Sequence, residues 1–235
     1  MPYYPVSVSI VSHGSVQIKE RGSKQTTQQR QGSAERGKSG IVERYEGLRQ
    51  AVMAGAVAMT DGSFKDKHAT AAWGVKQDTD DKRYVARDTV VSSGHPKIQS
   101  VYRSELTGIL ALVRAVNVSC GPVESGQGSV EVGQDCLSAI TIITQEWELQ
   151  PTATLQGNLM YSIRKEIWNS NVTWTSQHVL GHQDYGVGMT ELDGWAKMNV
   201  GMDAVTKEAW EETKKRPEKG TRQYHGGLKY TRNIS

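Results

Sequence analysis

The stretch "SVYRSELTGILALVRAV" (Ser100–Val116) marks a change in the hydrophobic period of the chain. Immediately upstream, residues 82–91 ("KRYVARDTVV") alternate in the way that is typical of a strand. Within the quoted stretch, the apolar residues instead recur at intervals of three and four, as on one face of a helix: Leu106, Ile109, Leu110, Val113 and Val116. The sequence therefore predicts that a helix follows a strand here.

The segments on either side of this helix predict an α/β fold with a mixed sheet. Three strand-like runs joined by short polar turns precede the helix, which indicates an antiparallel meander. The later strands are separated by helical segments, and such crossovers join parallel strands. The predicted order is β-β-β-α-β-α-α-β-α, with strands at residues 56–63, 68–77, 82–91, 129–133 and 171–180, intervening helices near 136–147 and 157–168, and a last helix from about Thr190.

Composition predicts one domain between two basic tails. Residues 20–40 contain almost no apolar side chain, so burial cannot offset the entropy of ordering them. We expect a basic, polar and disordered arm at 1–50, a domain at 51–210 and a basic tail at 211–235. The formal net charge is +3. Lys and Arg outnumber Asp and Glu at both ends, which suits contact with a polyanion or simply solvated tails.

Cysteine use and hydropathy indicate an intracellular protein. Cys120 and Cys136 are the two cysteines of the chain, and their spacing fits neither a zinc site nor a C-x-x-C pair. No stretch of the sequence approaches the length of apolar residues that a membrane span needs, and the first residues lack the pattern of a secretory signal. We expect a soluble protein of the nucleus or cytoplasm, with no membrane partner.

Two acidic residues in the first half of the chain are candidate ligands. Asp61 comes directly after an apolar run, although an Asp-Gly pair also forms turns. Glu105 shares its helical stripe with apolar residues such as Ile109, although it could reach water from the edge of that face. A buried carboxylate needs a cation or a donor, because an isolated buried charge is costly.

Two more acids follow in the second half. Asp135 lies where a strand passes to a helix, a position that suits an N-cap and equally a ligand at the carboxyl end of a strand. Asn199 and Asp203 lie one turn apart on the same face of the last helix. Glu191 and Asp193 are interpreted as acids at the start of that helix. Two tryptophans are predicted to belong to the core: Trp195 and Trp210.

Five separated motifs then agree in content and order with one family. The segments "TDGS", "YRSELTGILALVRAV", "VEVGQD", "VTWTSQHVLGHQD" and "NVGMD" resemble those of ribonuclease H, over about 150 residues from Ala56 to Trp210. The forms "GHQD" and "N-x-x-x-D" look most like retroelement-derived members, where the domain is usually joined to a reverse transcriptase. The position of Thr206 departs from the family, which usually has a small apolar residue there.

The resemblance implies a fold, an activity and a site. It implies a five-stranded sheet of order 3-2-1-4-5 flanked by helices, and hydrolysis of the RNA strand of RNA/DNA hybrids with two Mg²⁺ ions, for which Mn²⁺ could substitute. It assigns metal binding and catalysis to four carboxylates, and proton transfer or product departure to a histidine: Asp61, Glu105, Asp135 and Asp203, with His182. Supporting positions in the same motifs are Gly62, Ser63 and Asn199.

The chemistry of the proposed site is consistent with these residue types. Mg²⁺ prefers hard oxygen ligands, and two-metal sites serve both the attacking and the leaving oxygen of a phosphodiester. The basic tails are the candidates for salt-dependent contacts to phosphates. Two alternatives stay open at this point: a catalytically silent binding module with the same fold, and a DNA-processing relative such as an integrase or resolvase.

Overall fold

The computed structural model describes residues 45–121, 128–144 and 155–215. Residues 45–54 form the described part of the first helix, α1, and a short 3-10 turn at Pro96–Ile98 precedes α2. The other elements, in chain order, are β1 (Ala56–Lys65), β2 (His68–Lys76), β3 (Ala86–Val91), α2 (Val101–Cys120), β4 (Gly128–Gln134), α3 (Leu137–Thr144), α4 (Gly157–Trp168), β5 (Val172–His178) and α5 (Gly194–Lys215).

The five strands form one mixed sheet of order β3-β2-β1-β4-β5. β1 pairs with β2, and β2 with β3, in antiparallel fashion. The pairs β1–β4 and β4–β5 are parallel, and helices connect their strands, as the crossover of a parallel pair requires. The predicted α/β class, the strand order and the strand directions are therefore confirmed.

Each face of the sheet is covered by apolar side chains from different helices. Successive side chains of a strand point to opposite faces, so Ala58 and Met59 of β1 belong to different layers. Ala58 packs in the larger cluster with α1, α2, α3 and α4. Met59 packs with Met198 and Met202 of α5 in a smaller cluster on the other face. The molecule is thus a sheet between two helical layers.

The first helix overlaps the predicted N-terminal arm. Leu48 is 2% exposed and packs in the larger core cluster together with Ala51 and Val52. Residues 45–50 of the arm thus lie in a helix that is attached to the domain. The remainder of the arm, and residues 216–235 of the C-terminal tail, lie outside the described residues.

Two further predictions concern the last helix and the membrane. Trp210 is buried, and the partly buried Trp195 packs against the smaller core cluster, so both are core residues as predicted. None of the described helices combines the length and the apolar character that crossing a membrane demands.

Candidate metal centre

Asp61 lies within β1. The strand continues to Lys65, and Asp61 is paired with Ala72 of β2. The turn between β1 and β2 is formed by Asp66 and Lys67, which have φ angles of 49° and 66°. The alternative in which Asp61 and Gly62 form a turn is therefore wrong, and the Asp61 side chain is held by a paired strand at 6% exposure.

Glu105 lies in the second turn of α2, where this helix crosses β1 at close range. A Cβ atom on Gly62 would lie 2.5 Å from the Glu105 backbone nitrogen and 2.7 Å from the carbonyl carbon of Ser104. Only a glycine permits this approach of the helix to the strand. Glu105 is 3% exposed, so the alternative of a solvated side chain at the edge of the helix face is wrong.

Asp135 completes a group of three carboxylates. It directly follows β4, whose residue Gly133 is in register with Met59 of the parallel strand β1. Each of the three side chains offers one oxygen, and these oxygens of Asp61, Glu105 and Asp135 all lie within 4.8 Å of one another. β1, the end of β4 and α2 thus bring together a group that could hold a metal ion.

Asp203 lies on the same cleft but is engaged differently. Its Oδ2 accepts a hydrogen bond from Lys207 Nζ, one turn further along α5, at 2.6 Å. The cleft has a volume of about 410 Å³, and Asp203 and Lys207 line it together with the three clustered carboxylates. Asp203, the fourth predicted ligand, therefore lines the cleft while it is paired with the ammonium group of Lys207.

Two carboxyl groups of the cluster, those of Glu105 and Asp61, have a raised pKa and so hold their protons more tightly than ordinary ones. Burial, followed by the charges of Asp61 and Asp135, raises the pKa of Glu105 from 4.5 to about 9. Burial, followed by the charges of Asp135 and Asp203, also raises the pKa of Asp61 from 3.8 to about 7. Clustered acids in a buried place repel one another unless a cation neutralises them.

The donor set fits a divalent cation with oxygen ligands. Asp61 Oδ2 is buried and has no hydrogen-bond partner among the described residues. A buried acceptor of this kind is costly unless something binds it. A hard cation such as Mg²⁺ or Mn²⁺ takes carboxylate oxygens as ligands, which are the groups that converge here.

The other predicted site residues border the same cleft. Gly62, Ser63 and Asn199 line it, and Asn199 is buried with no partner for its Oδ1 within the described ranges. His182 is exposed at the mouth, with a φ of 53° and its ring centroid 5.4 Å from that of Tyr185. All eight residues that the sequence singled out for the site are thus brought together.

Asp193 and Thr206 have the structural roles that their positions suggest. Asp193 Oδ1 accepts a hydrogen bond of 2.7 Å from the Ala196 amide, so this acid caps the start of α5 as predicted. Thr206 is fully buried, and its hydroxyl donates to the Met202 carbonyl at 2.8 Å. The hydroxyl group that departs from the family pattern is therefore satisfied within its own helix.

Sequence reasoning missed two polar side chains of the site. Gln134 donates from Nε2 to Glu105 Oε2 at 2.8 Å, and Lys207 pairs with Asp203. The spacing of four between Asp203 and Lys207 was a signal for the second contact, since residues so spaced are neighbours on a helix. For Gln134, the only signal was a polar residue at the end of an apolar strand, directly before Asp135.

This chain is similar to known proteins in structure and not in sequence. No protein-family model and no curated protein matches the sequence. Ribonuclease H1 from the halophilic archaeon Halobacterium salinarum NRC-1 is similar in structure, with 16% sequence identity, a TM-score of 0.45, and coverage of 67% of this chain and 98% of that chain. LC11-RNase H1 in complex with an RNA/DNA hybrid has 9% identity, a TM-score of 0.48, and coverage of 67% and 98%. The PFV RNase H domain has 10% identity, a TM-score of 0.43, and coverage of 66% and 92%.

The strand order and the strand directions of this chain identify its fold. The antiparallel meander β1–β3, the parallel strands β4 and β5 beside β1, and the helices on both faces are described above. This arrangement is the ribonuclease H-like fold that the resemblance predicted.

Proposed function

We propose that this protein hydrolyses the RNA strand of RNA/DNA hybrids with the help of two divalent cations, Mg²⁺ being the natural choice. The observation that carries the proposal is the convergence of Asp61, Glu105 and Asp135 oxygens within 4.8 Å in a cleft that Asp203 also lines. Two features support this proposal: the ribonuclease H-like fold of the chain and an acidic group that could bind a metal.

The four carboxylates would hold the cations. A pair of bound divalent ions supplies an activated water and stabilises the leaving oxygen in phosphodiester hydrolysis. The backbones of Asp61 and Glu105 are held by a paired strand and by the close α2–β1 contact, so the two ligands are brought together before a cation arrives. This rigidity reduces the reorganisation that binding requires.

His182 is the proposed carrier of a proton at the mouth of the cleft. Its imidazole is exposed, next to the ring of Tyr185, and imidazole is the side chain best suited to proton exchange near neutral pH. Substrate phosphates would be contacted by the basic tails, which makes binding sensitive to salt. We further propose a retroelement origin, with a reverse transcriptase as the partner module, because of the "GHQD" and "N-x-x-x-D" motifs. The composition supports the proposal of a nuclear or cytoplasmic location.

A catalytically silent binding module is the second candidate, favoured by one contact. Lys207 occupies an oxygen of Asp203 at 2.6 Å, so the fourth carboxylate is neutralised before any cation binds. A protein that could not displace this lysine would retain one cation and bind a hybrid without cutting it.

The deciding experiment incubates a labelled RNA/DNA hybrid with the full chain and Mg²⁺ or Mn²⁺. We expect cleavage of the RNA strand, and its loss in Asp135→Asn. Glu211→Gln, which changes an exposed acid near the end of α5, is the matched control and should cleave like the wild type. Single-stranded RNA, duplex RNA and duplex DNA are tested in parallel.

Each other result has a defined meaning. Equal cleavage by wild type and Asp135→Asn would show a contaminant and remove the proposal. Hybrid binding without cleavage by either protein would favour the silent module. Cleavage of duplex DNA in preference to the hybrid would favour a relative of integrases and resolvases.

A further inference from the structure

Gln134 is a fully buried polar residue at the end of β4. Its side chain is 0% exposed, and its backbone carbonyl accepts a hydrogen bond of 3.0 Å from the Val179 amide. Val130 and Val132 have the same alternation along β4 and pack in the larger core cluster, which contains α2. Gln134 therefore takes a place in the strand that an apolar side chain would normally fill.

The amide of Gln134 is only half satisfied in this place. Nε2 donates to Glu105 Oε2 at 2.8 Å, whereas Oε1 is buried with no partner among the described residues. A buried acceptor without a partner lowers stability. Core stability alone gives no reason for an amide here, since an aliphatic side chain would avoid that cost.

The contact has a specific consequence for Glu105. The amide holds Glu105 Oε2 at 2.8 Å and so restricts the rotation of the carboxylate, for which no other side-chain donor stands among the described residues. Glu105 is the member of the acidic group that a helix carries, whereas Asp61 and Asp135 belong to or follow paired strands. Gln134 thus connects the helical ligand to the strand ends that carry the other two.

We propose that Gln134 is a positioning residue of the metal centre, which holds Glu105 in the orientation that a divalent cation requires. The inference rests on the proposed binding of cations at this site, and it goes beyond it by assigning a neutral residue of β4 to that binding. Partners that orient metal ligands typically change metal affinity by about 10- to 100-fold when they are removed.

The test measures Mn²⁺ binding to the full chain by calorimetry, with Gln134→Met as the variant. Methionine has a similar length and flexibility but cannot donate a hydrogen bond. We expect Mn²⁺ affinity to fall about 10-fold or more, while the metal-free variant stays folded with a melting temperature no lower than that of the wild type. An affinity within about twofold of the wild type would overturn the proposal, since orienting partners typically contribute more.

A matched control separates positioning from general damage. Gln99 is a half-buried amide that donates to the backbone carbonyls of Ser92 and Gly94, and its Oε1 also lacks a partner in the described part of the chain. Gln99→Met removes hydrogen bonds of the same kind outside the acidic group. We expect it to lower the melting temperature and to leave the Mn²⁺ affinity unchanged; a parallel loss of affinity would show that Gln134 has no special role.

A double-mutant cycle shows whether Gln134 acts through Glu105. In Glu105→Asp the carboxylate is retained, but the shorter side chain withdraws it from the Gln134 amide. Adding Gln134→Met to this background should then change Mn²⁺ affinity by less than about twofold, because the interaction is already gone. A full loss in both backgrounds would contradict positioning through Glu105. Because these experiments measure binding alone, they are independent of whether the protein cleaves a hybrid.

Discussion

Lys207 and Asp203 form an ion pair across one turn of α5, with Nζ 2.6 Å from Oδ2. The pair borders the acidic cleft, so a cation that takes Asp203 Oδ2 as a ligand must first displace the lysine. Lys207 is 62% exposed, and exposed pairs of this kind contribute about 0.2–1 kcal/mol. Displacement of the lysine therefore costs little free energy, and it lowers the affinity only of the cation that binds Asp203.

Replacement of this lysine should tighten cation binding. We expect Lys207→Met to raise the affinity for the more weakly bound Mg²⁺ ion by up to about fivefold, the factor that the upper end of this pair energy implies. Calorimetric titration with Mg²⁺ gives the affinities. Lys214→Met on the same helix is the control, because Lys214 lies 3.9 Å from Asp66 rather than at the cleft. Equal affinities in all three proteins would show that Lys207 does not compete.

Stability of the metal-free protein should depend on pH through the acidic group. Folding raises the pKa of Glu105 to about 9 and that of Asp61 to about 7, so the folded state favours their neutral forms. The corresponding stability is fully present below the unfolded values of 4.5 and 3.8, and it is lost as the pH rises toward 9 and 7.

Urea unfolding in the presence of a chelator tests this dependence. The free energy of unfolding should fall between about pH 5 and about pH 8, within the window that the two shifted groups define. Glu105→Gln, which is neutral at every pH, should be more stable than the wild type at the upper end and should show a weaker dependence. A wild-type profile that rises over this range would contradict the assignment of buried, protonated acids.

Cation binding should release protons. Glu105 is largely protonated near neutral pH in the metal-free protein, and a carboxyl group must lose its proton to become a ligand. Titration with Mg²⁺ in buffers of different ionisation enthalpy should report about one proton released near pH 7. In Glu105→Gln the release, where binding is still measurable, should fall to the smaller contribution of Asp61. An enthalpy independent of the buffer would argue against a protonated Glu105.

Gly62 should tolerate no side chain. A Cβ atom there would lie 2.5 Å from the Glu105 nitrogen, and overpacking of this kind usually costs about 1–3 kcal/mol. Gly62→Ala should therefore lower the free energy of unfolding by at least that amount and weaken cation binding, because α2 must move away from β1. Gly47→Ala in α1, where the nearest atom would be 3.7 Å away, should leave stability unchanged or raise it.

The order of elements allowed much of this architecture to be predicted. Alternation in β1 to β3 and the change of period at α2 identified the meander and the first helix, and the intervening helices indicated parallel strands. The positions of Asp61 and Asp135 followed from the strands that carry them. In each case a local pattern was sufficient, because strand direction and connection type are coupled.

What could not be predicted depends on side chains meeting across elements. The contact of Gln134 with Glu105 requires the register of β4 against α2, which no local pattern contains. The strand bounds predicted a turn between residues 63 and 68, but not its geometry, because Asp66 and Lys67 take left-handed angles without a glycine.

The last helix, α5, contributes both to the hydrophobic core and to the candidate metal site. α5 covers Met59 and Ala72 on one face of the sheet, and the same helix carries Asp203 to the cleft. A chain that stopped before Gly194 would keep the three clustered carboxylates but would expose an apolar surface to water. Loss of α5 should therefore remove Asp203 and the solubility of the chain together, because the exposed apolar face favours aggregation.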